Sequence, residues 1–127
     1  MRIHGIGIDV VEVDRIADAI QRLGTPFLDR LFTPAELEYC QTQKFPALHY
    51  AARFAAKEAV SKALGTGIGE HAGWLDLEIL RDPSGAPRVL LTGAAARFAK
   101  VNHITSLQIS LTHAKAYAAA NAIAICD

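Results

Sequence analysis

Two carboxylates stand in otherwise apolar or small-residue stretches of this 127-residue chain: Asp9 in GIGIDVVEV (5–13) and Glu58 in RFAAKEAVSKALGTGIG (53–69). A carboxylate buried among apolar side chains loses on the order of several kcal/mol of hydration, so it is normally neutralised, paired or bound to a metal. Two carboxylates leave Mg²⁺ room for waters and phosphate oxygens. Asp9 and Glu58 are therefore candidate metal ligands, although Asp9 alone could be a solvated strand-end residue or an arginine partner.

A lysine follows Glu58 by four residues, so Lys62, Glu58 and Phe54 are predicted to share one face of a helix. Lys62 would then stand where it could neutralise a phosphate bridged to the metal. The alternatives are an ordinary surface Glu58–Lys62 pair, or a solvated face formed by Arg53, Lys57 and Lys62. The helix is rich in alanine and apolar residues on most sides, which leaves only a narrow face for water.

A glycine-rich segment follows this helix, with four glycines among the nine residues of GTGIGEHAG (65–73). Such a loop lets backbone N–H groups approach a bulky anion closely. It is not a Walker A loop, because the lysine precedes the glycines. A carboxylate pair, a lysine and a glycine loop together suggest metal-dependent chemistry on a diphosphate.

The elements that must position these residues begin with a strand and a series of helices. Gly24 and Gly65 are C-terminal stops, and Thr33 with Glu36 forms a capping box. The sequence predicts a strand at 2–11 and helices at 13–23, 26–31, 34–43 and 48–64.

The second half of the chain alternates apolar and polar residues around short turns. It predicts strands at 74–80, 88–91, 105–112 and 116–125, with a helix at 93–101. The connections between the late strands are too short for parallel crossovers, so these strands are antiparallel. Residues 1–127 are therefore predicted to form one α+β domain in which a mostly antiparallel sheet packs on a long helix.

Composition excludes several classes of protein. The chain is 51% hydrophobic and 20% charged, with thirteen basic and thirteen acidic residues, so it is globular and no overall field attracts nucleic acid or a membrane surface. Cys40 and Cys126 fit no metal spacing and are predicted to be core thiols of a cytoplasmic protein. Asp9 interrupts the N-terminal apolar stretch before it is long enough for a signal peptide, and the low-charge run at 116–126 is too short to span a bilayer.

Three stretches in this order resemble the motifs of one family. GIGIDVVEVDRI is similar to an N-terminal G-x-D motif, RFAAKEAVSKALGTGIG to a W/F-x-x-KE-x-x-x-K signature with a GTG extension, and ISLTHAKAYAAA to a terminal S-x-[ST]-H-x-x-x-YA-x-A stretch. The chain thus resembles the holo-[acyl-carrier-protein] synthases, the small bacterial type of 4'-phosphopantetheinyl transferase.

The resemblance implies an activity and an assembly. The enzyme would transfer 4'-phosphopantetheine from coenzyme A to a serine of apo-acyl carrier protein and release adenosine 3',5'-bisphosphate. Mg²⁺ would be the cofactor, and three copies would form a homotrimer with active sites between subunits. Whether the carrier protein serves fatty-acid or polyketide synthesis is left open.

The resemblance also implies residue roles. Asp9 and Glu58 would bind Mg²⁺, and Lys62 would contact the transferred phosphate. The serine proton could pass to Glu58 directly, to Glu58 through a metal-bound water, or to Asp9 through a water. Arg53 and His113 would contact coenzyme A phosphates, and the Gly65, Thr66 and Gly67 backbone would lie against the nucleotide.

The helix at 13–23 carries the expected docking surface for the acidic carrier protein. Arg15 and Arg22 are seven residues apart on one face, although Asp14 and Asp18 dilute the positive patch. Two rival functions remain open from the sequence: a non-catalytic module that binds coenzyme A or a nucleotide, and a magnesium-dependent hydrolase of a small diphosphate.

Overall fold

The computed structural model describes residues 1–127 and contains five α-helices, five strands and one 3-10 turn. The observed bounds follow the sequence predictions closely. The elements in chain order are β1 (Arg2–Glu12), α1 (Val13–Leu23), α2 (Thr25–Leu31), α3 (Pro34–Gln41), α4 (Pro46–Leu64), the 3-10 turn (Trp74–Asp76), β2 (Leu77–Arg81), β3 (Pro87–Leu91), α5 (Gly93–Val101), β4 (Ile104–His113) and β5 (Tyr117–Cys126).

The strand predicted at 74–80 begins three residues later than expected. Trp74–Asp76 form a 3-10 turn, in which the Asp76 carboxylate accepts a hydrogen bond of 3.1 Å from the Gly73 N–H. The Trp74 carbonyl is also occupied, because it accepts a hydrogen bond of 2.8 Å from Lys57 Nζ. These tertiary contacts hold the segment in a turn despite its alternating apolar pattern.

Two antiparallel sheets form the β-structure. β1, β5 and β4 make a three-stranded sheet in the order β1-β5-β4, and β2 and β3 form a separate hairpin. The buried alanines of β5 (Ala118, Ala120, Ala122 and Ala124) alternate with less buried residues, so one face of the sheet packs against α4. The predicted α+β fold, a mostly antiparallel sheet on a long helix, is confirmed.

Two glycines bring β1 into backbone contact with α4. A Cβ atom at Gly5 would lie 2.2 Å from the Ala63 carbonyl oxygen, and one at Gly7 would lie 1.8 Å from that of Ala59. Both distances are impossible for real atoms, so only glycine permits this approach. Because side chains alternate along a strand, Asp9 comes next on the same face and is directed toward the helix.

A fully buried ion pair joins α4 to α3. Lys57 Nζ lies 2.7 Å from Glu36 Oε1, and neither side chain is exposed. Lys57 also donates to the Leu31 carbonyl at 2.8 Å. The Glu36 carboxylate accepts from the Thr33 N–H within the predicted capping box and from the Ile79 N–H of β2, each at 2.8 Å. This network joins α2, α3, α4 and β2.

The face of the three-stranded sheet that points away from α4 is uncovered, and its β1 edge is apolar. Ile6, Ile8 and Val10 of β1 are 66%, 65% and 60% exposed. Both cysteines are buried, as predicted. No helix of the protein is sufficiently long and apolar to cross a membrane.

Candidate active site

Asp9 and Glu58 line the same open cleft, although 49 positions separate them in the sequence. The cleft has a volume of about 630 Å³. We call it the carboxylate cleft; its lining residues are Asp9, Val10, Val11, Arg15, Ile16, Asp18, Ala19, Arg22, Phe27, Phe54 and Glu58. The structure thus brings together the two acids that the sequence singled out, by pressing β1 against α4.

Lys62 of α4 contacts β1 beside this cleft. Its Nζ donates to the Ile8 carbonyl at 2.9 Å and lies 3.4 Å from Asp9 Oδ1. The Asp9 side chain is 19% exposed and that of Lys62 is 49% exposed. An ammonium group has three hydrogens, so Lys62 keeps donor capacity for an anion in the cleft.

The two carboxylates interact unfavourably with each other. Burial raises the pKa of Glu58, the nearby Asp9 raises it further, and Lys62 lowers it by a smaller amount. Carboxyl groups that share a site resist being ionised together. A cation beside these two carboxylates would therefore relieve a repulsion that Lys62 offsets only in part.

The predicted docking residues lie on the rim of the same cleft. Arg15 and Arg22 line it together with Asp18 and Ala19 of α1, and both arginines are exposed. An acidic partner bound to α1 would thus be placed beside Asp9 and Glu58.

Arg53 and His113 lie together in a different cavity, of about 180 Å³. We call it the cationic pocket; its lining residues are Tyr39, His49, Ala52, Arg53, Ile79, Leu80, Arg81, Gly85, Pro87, Leu111 and His113. Two guanidinium groups and two imidazoles face this pocket, and no carboxylate lines it.

Arg53 is buried without a counter-ion. The residue is 5% exposed, and its Nε has no hydrogen-bond partner. Its guanidinium carbon lies 4.1 Å from the centroid of the Tyr39 ring, and Arg81 donates a hydrogen bond to the Tyr39 hydroxyl. Stacking on an aromatic ring offsets part of the cost of burying a guanidinium but leaves its N–H donors unsatisfied. The pocket is therefore suited to an anion.

The solvated face considered for Arg53, Lys57 and Lys62 is wrong for two of the three residues. Arg53 and Lys57 are 5% and 0% exposed, and only Lys62 reaches solvent. The sequence missed their burial because their partners, Tyr39 and Glu36, belong to a different helix.

The structure does not bring all the predicted coenzyme-binding residues together. The carboxylate cleft and the cationic pocket share no lining residue. Arg53 and Glu58 are five positions apart on α4, which places them about 140° apart around the helix axis. On a single chain, the residues that would hold the diphosphate and those that would hold another phosphate face in different directions.

The glycine loop does not present free N–H groups at Gly65, Thr66 and Gly67. All three N–H groups donate to the Ser61 carbonyl at 3.1 to 3.2 Å, because Gly65 adopts the left-handed conformation that ends α4. Nothing lies within 4 Å of a Cβ position at Gly65 or Gly67, so the backbone surface is open. Contact between this surface and a nucleotide stays a prediction.

Sequence reasoning missed several residues that shape the two sites. Gly5 and Gly7 set the position of Asp9, and the alternation of glycine with isoleucine in GIGID is a signal for close backbone approach that could have identified them. Tyr39, His49 and Arg81 line the cationic pocket, but no spacing rule links them to Arg53.

Comparison with known proteins places these features in one family. Residues 5–125 match the 4'-phosphopantetheinyl transferase superfamily. A holo-[acyl-carrier-protein] synthase of Desulforudis audaxviator is 51% identical over 123 residues, which are 97% of this chain and 93% of that protein.

Solved structures give the same result. The crystal structure of holo-[acyl-carrier-protein] synthase from Neisseria meningitidis superposes with a TM-score of 0.92 at 31% identity, covering 98% of this chain and 99% of that one. The Helicobacter pylori holo-[acyl-carrier-protein] synthase in complex with coenzyme A superposes with a TM-score of 0.84 at 34% identity, covering 94% and 99% of the two chains.

Proposed function

This chain belongs to the 4'-phosphopantetheinyl transferase superfamily, and on that premise we propose that it transfers 4'-phosphopantetheine from coenzyme A to a serine of apo-acyl carrier protein. The observation that carries the proposal is the convergence of Asp9, Glu58 and Lys62 at a cleft whose rim bears Arg15 and Arg22. Phosphoryl transfer depends mainly on positioning and on stabilising negative charge, and these residues can provide both.

The cleft fits Mg²⁺ as the cofactor. Asp9 and Glu58 would hold the ion; their mutual repulsion, which contributes to the raised pKa of Glu58, is what a divalent cation relieves. No group of three or more His, Cys, Asp and Glu side chains is gathered in a metal-binding arrangement. Two carboxylate ligands suit an ion that keeps most of its positions for water and phosphate oxygens. When bound, Mg²⁺ offsets the negative charge of the diphosphate.

The chain's own residues would act on the remaining parts of the reaction. The serine oxygen of the carrier protein forms a new bond to the phosphorus that bears the pantetheine arm, and the bond from that phosphorus to the adenosine bisphosphate breaks. Lys62, which retains an unused hydrogen, contacts the transferred phosphate. Lys62 pairs with Asp9 at 3.4 Å and donates no hydrogen bond to Glu58, which favours Glu58 over Asp9 as the acceptor of the serine proton.

The cationic pocket would hold the phosphate monoester of coenzyme A, the group that remains as the 3'-phosphate of adenosine 3',5'-bisphosphate. Its two guanidinium groups match a dianion in charge, and the unpartnered Nε of Arg53 supplies a donor. Because this pocket and the carboxylate cleft face different directions on one chain, a coenzyme A molecule would contact the cleft of one subunit and the pocket of its neighbour.

A homotrimer would satisfy this requirement. The β1 edge of the uncovered sheet face, with Ile6, Ile8 and Val10 exposed, is an apolar surface of the kind that subunit interfaces cover. Light scattering tests the assembly, and we expect a mass three times that of the 13.7 kDa chain.

The activity itself is tested by incubating the protein with coenzyme A, Mg²⁺ and apo-acyl carrier protein. We expect the carrier protein to gain the mass of the phosphopantetheine arm, measured on the intact protein. Coenzyme A binding without this gain, for carrier proteins of both fatty-acid and polyketide synthesis, would indicate a non-catalytic binding module. Adenosine 3',5'-bisphosphate release without any carrier protein would indicate a hydrolase.

A further inference from the structure

His49 stands at the cationic pocket one helical turn before Arg53, so both side chains point to the same side of α4. Its ring centroid lies 5.1 Å from that of His113 and 5.7 Å from that of Tyr39. Neither the motifs nor the proposed reaction assigns His49 a role.

The charged groups around His49 are all cationic or neutral. Tyr39 faces it from α3, Arg53 from α4, Arg81 from β2 and His113 from β4. The turn between β2 and β3 contributes only Gly85 to the pocket lining, and β3 contributes only Pro87. The acid of that turn, Asp82, is paired with Arg88 at 2.8 Å, and Glu78 of β2 accepts a hydrogen bond from the Thr33 hydroxyl. No carboxylate therefore balances a positive charge on this imidazole.

These surroundings keep His49 uncharged in the free protein. Burial lowers the pKa of His49 most, and His113, Arg53 and Arg81 lower it further. The ordinary pKa of histidine is about 6.5, so the ring is mostly neutral at pH 7. An anion in the pocket would reverse the repulsion, since an opposite charge within about 4–6 Å favours the charged form.

We propose that His49 takes up a proton when a phosphate monoester occupies the cationic pocket, which makes it a further binding residue for the dianionic end of coenzyme A. The inference rests on the proposed function, because it takes coenzyme A as the ligand. Uptake of a proton on binding means that affinity rises as the pH falls, within the interval between the pKa of free His49 and its higher value in the complex. The phosphate monoester itself takes up a proton near pH 6, which weakens binding as the pH falls. The ratio of wild-type to variant affinity cancels this contribution, because both proteins bind the same ligand.

Calorimetry at pH 7 in two buffers of different ionisation enthalpy counts the protons taken up when coenzyme A binds. His49→Asn is the test variant, and His103→Asn is the matched control, because His103 is exposed outside the pocket and its positive φ of 58° suits asparagine. We expect the wild type and the control to take up about 0.5 proton more than His49→Asn, for a pKa rise of about one to two units. The ratio of wild-type to variant affinity then falls about threefold from pH 7 to pH 8.

Dephospho-coenzyme A, which lacks the monoester, provides the ligand control. We expect the difference between wild type and His49→Asn to vanish with it. Equal proton uptake by the two proteins with coenzyme A would overturn the role of His49 and leave the transferase proposal intact. Proton uptake by His49 that persists with dephospho-coenzyme A would also overturn the inference but would leave the proposed function intact. Failure of the wild type to bind coenzyme A would overturn the inference and would also contradict the proposed function.

A measurement on the wild type alone covers the case in which the variant is poorly folded. The ring C–H resonance of His49, assigned through its backbone neighbours, is titrated with pH in the presence and absence of adenosine 3',5'-bisphosphate. We expect its pKa to rise by about one unit or more in the complex. An unchanged pKa in the saturated complex would contradict the proposal.

Discussion

The carboxylate cleft and the cationic pocket are both built on helix α4, yet the cleft is lined by both acids and arginines and the pocket by cationic and neutral groups only. In the cleft, Asp9 and Glu58 repel each other and Lys62 compensates only part of their charge. In the pocket, Arg53 and Arg81 face two imidazoles and no acid. Under the proposed function, Mg²⁺ would relieve the repulsion between the two acids, and the phosphate monoester of coenzyme A would meet the cationic groups of the pocket.

The two sites also differ in how they are assembled. The cleft depends on one close backbone contact, at Gly5 and Gly7, that brings β1 and α4 together. The pocket is made by residues from five elements, α3, α4, β2, β3 and β4, and by Gly85 of the turn between β2 and β3. Between them, Lys57 anchors α4 through a buried ion pair. Three substitutions on α4 should therefore have three different consequences, which the following predictions separate.

The largest effect is expected from Glu58→Gln in the carboxylate cleft. Loss of this carboxylate would remove the proposed ligand for Mg²⁺ and the proposed proton acceptor, and we expect transfer to fall by at least about 100-fold while the assembly persists. The rate of mass gain by the carrier protein measures this, with Glu70→Gln as the control, because Glu70 is exposed in the glycine loop. Wild-type rates in Glu58→Gln would show that the carboxylate pair is not catalytic.

Lys57→Met tests the anchor between the two sites. Removing one member of a buried pair leaves the charged Glu36 without a counter-ion, so the free energy of unfolding should fall by about 3 kcal/mol. Lys62→Met should change it by less than about 1 kcal/mol, because the Asp9–Lys62 pair is partly exposed, but it should lower transfer. Urea denaturation measures the free energy of unfolding of both variants, and mass gain by the carrier protein measures transfer.

A double variant sharpens this test. Adding Glu36→Gln to Lys57→Met removes the unpaired charge, so the double variant should be less destabilised than the sum of the single changes. Additive losses would indicate that the two side chains contribute independently.

A moderate effect is expected from Arg53→Gln in the cationic pocket. It removes a charged donor from the phosphate monoester but leaves the carboxylate cleft intact, so we expect KM for coenzyme A to rise about tenfold with little change in kcat. Steady-state kinetics with saturating carrier protein measure this. The control is Arg97→Gln, since Arg97 is exposed on α5. A fall in kcat with unchanged KM would place Arg53 at the reacting atoms instead.

The smallest effect is expected from Arg15→Glu on the rim of the cleft. Reversing one charge that faces an acidic partner should raise KM for the carrier protein a few-fold, and added salt should reduce the difference because exposed charges are screened. Arg30→Glu is the control, because Arg30 is exposed at the end of α2 and does not line the cleft. If Arg15→Glu matches wild type at low salt, the carrier protein docks elsewhere.

The family predicted from three ordered motifs is confirmed by the comparisons, and most element bounds were predictable. Gly24 and Gly65 end their helices as expected, and the capping box at Thr33 is present. The Trp74–Asp76 turn was not predictable, because a residue from α4 occupies a carbonyl in a segment whose alternation is typical of a strand.

The sequence by itself determined where most helices and strands lie, which acids and cations were candidates for chemistry, and the family. Only the tertiary structure decided that Lys57 is buried against Glu36, that Asp9 meets Glu58, and that Arg53 faces away from both acids. Caps and periodicity are set by neighbours within one or two helical turns, so they can be recognised along the chain. Burial and Coulomb interactions depend on distances between residues far apart in the sequence, and these distances are fixed only when the sheet packs on the helix.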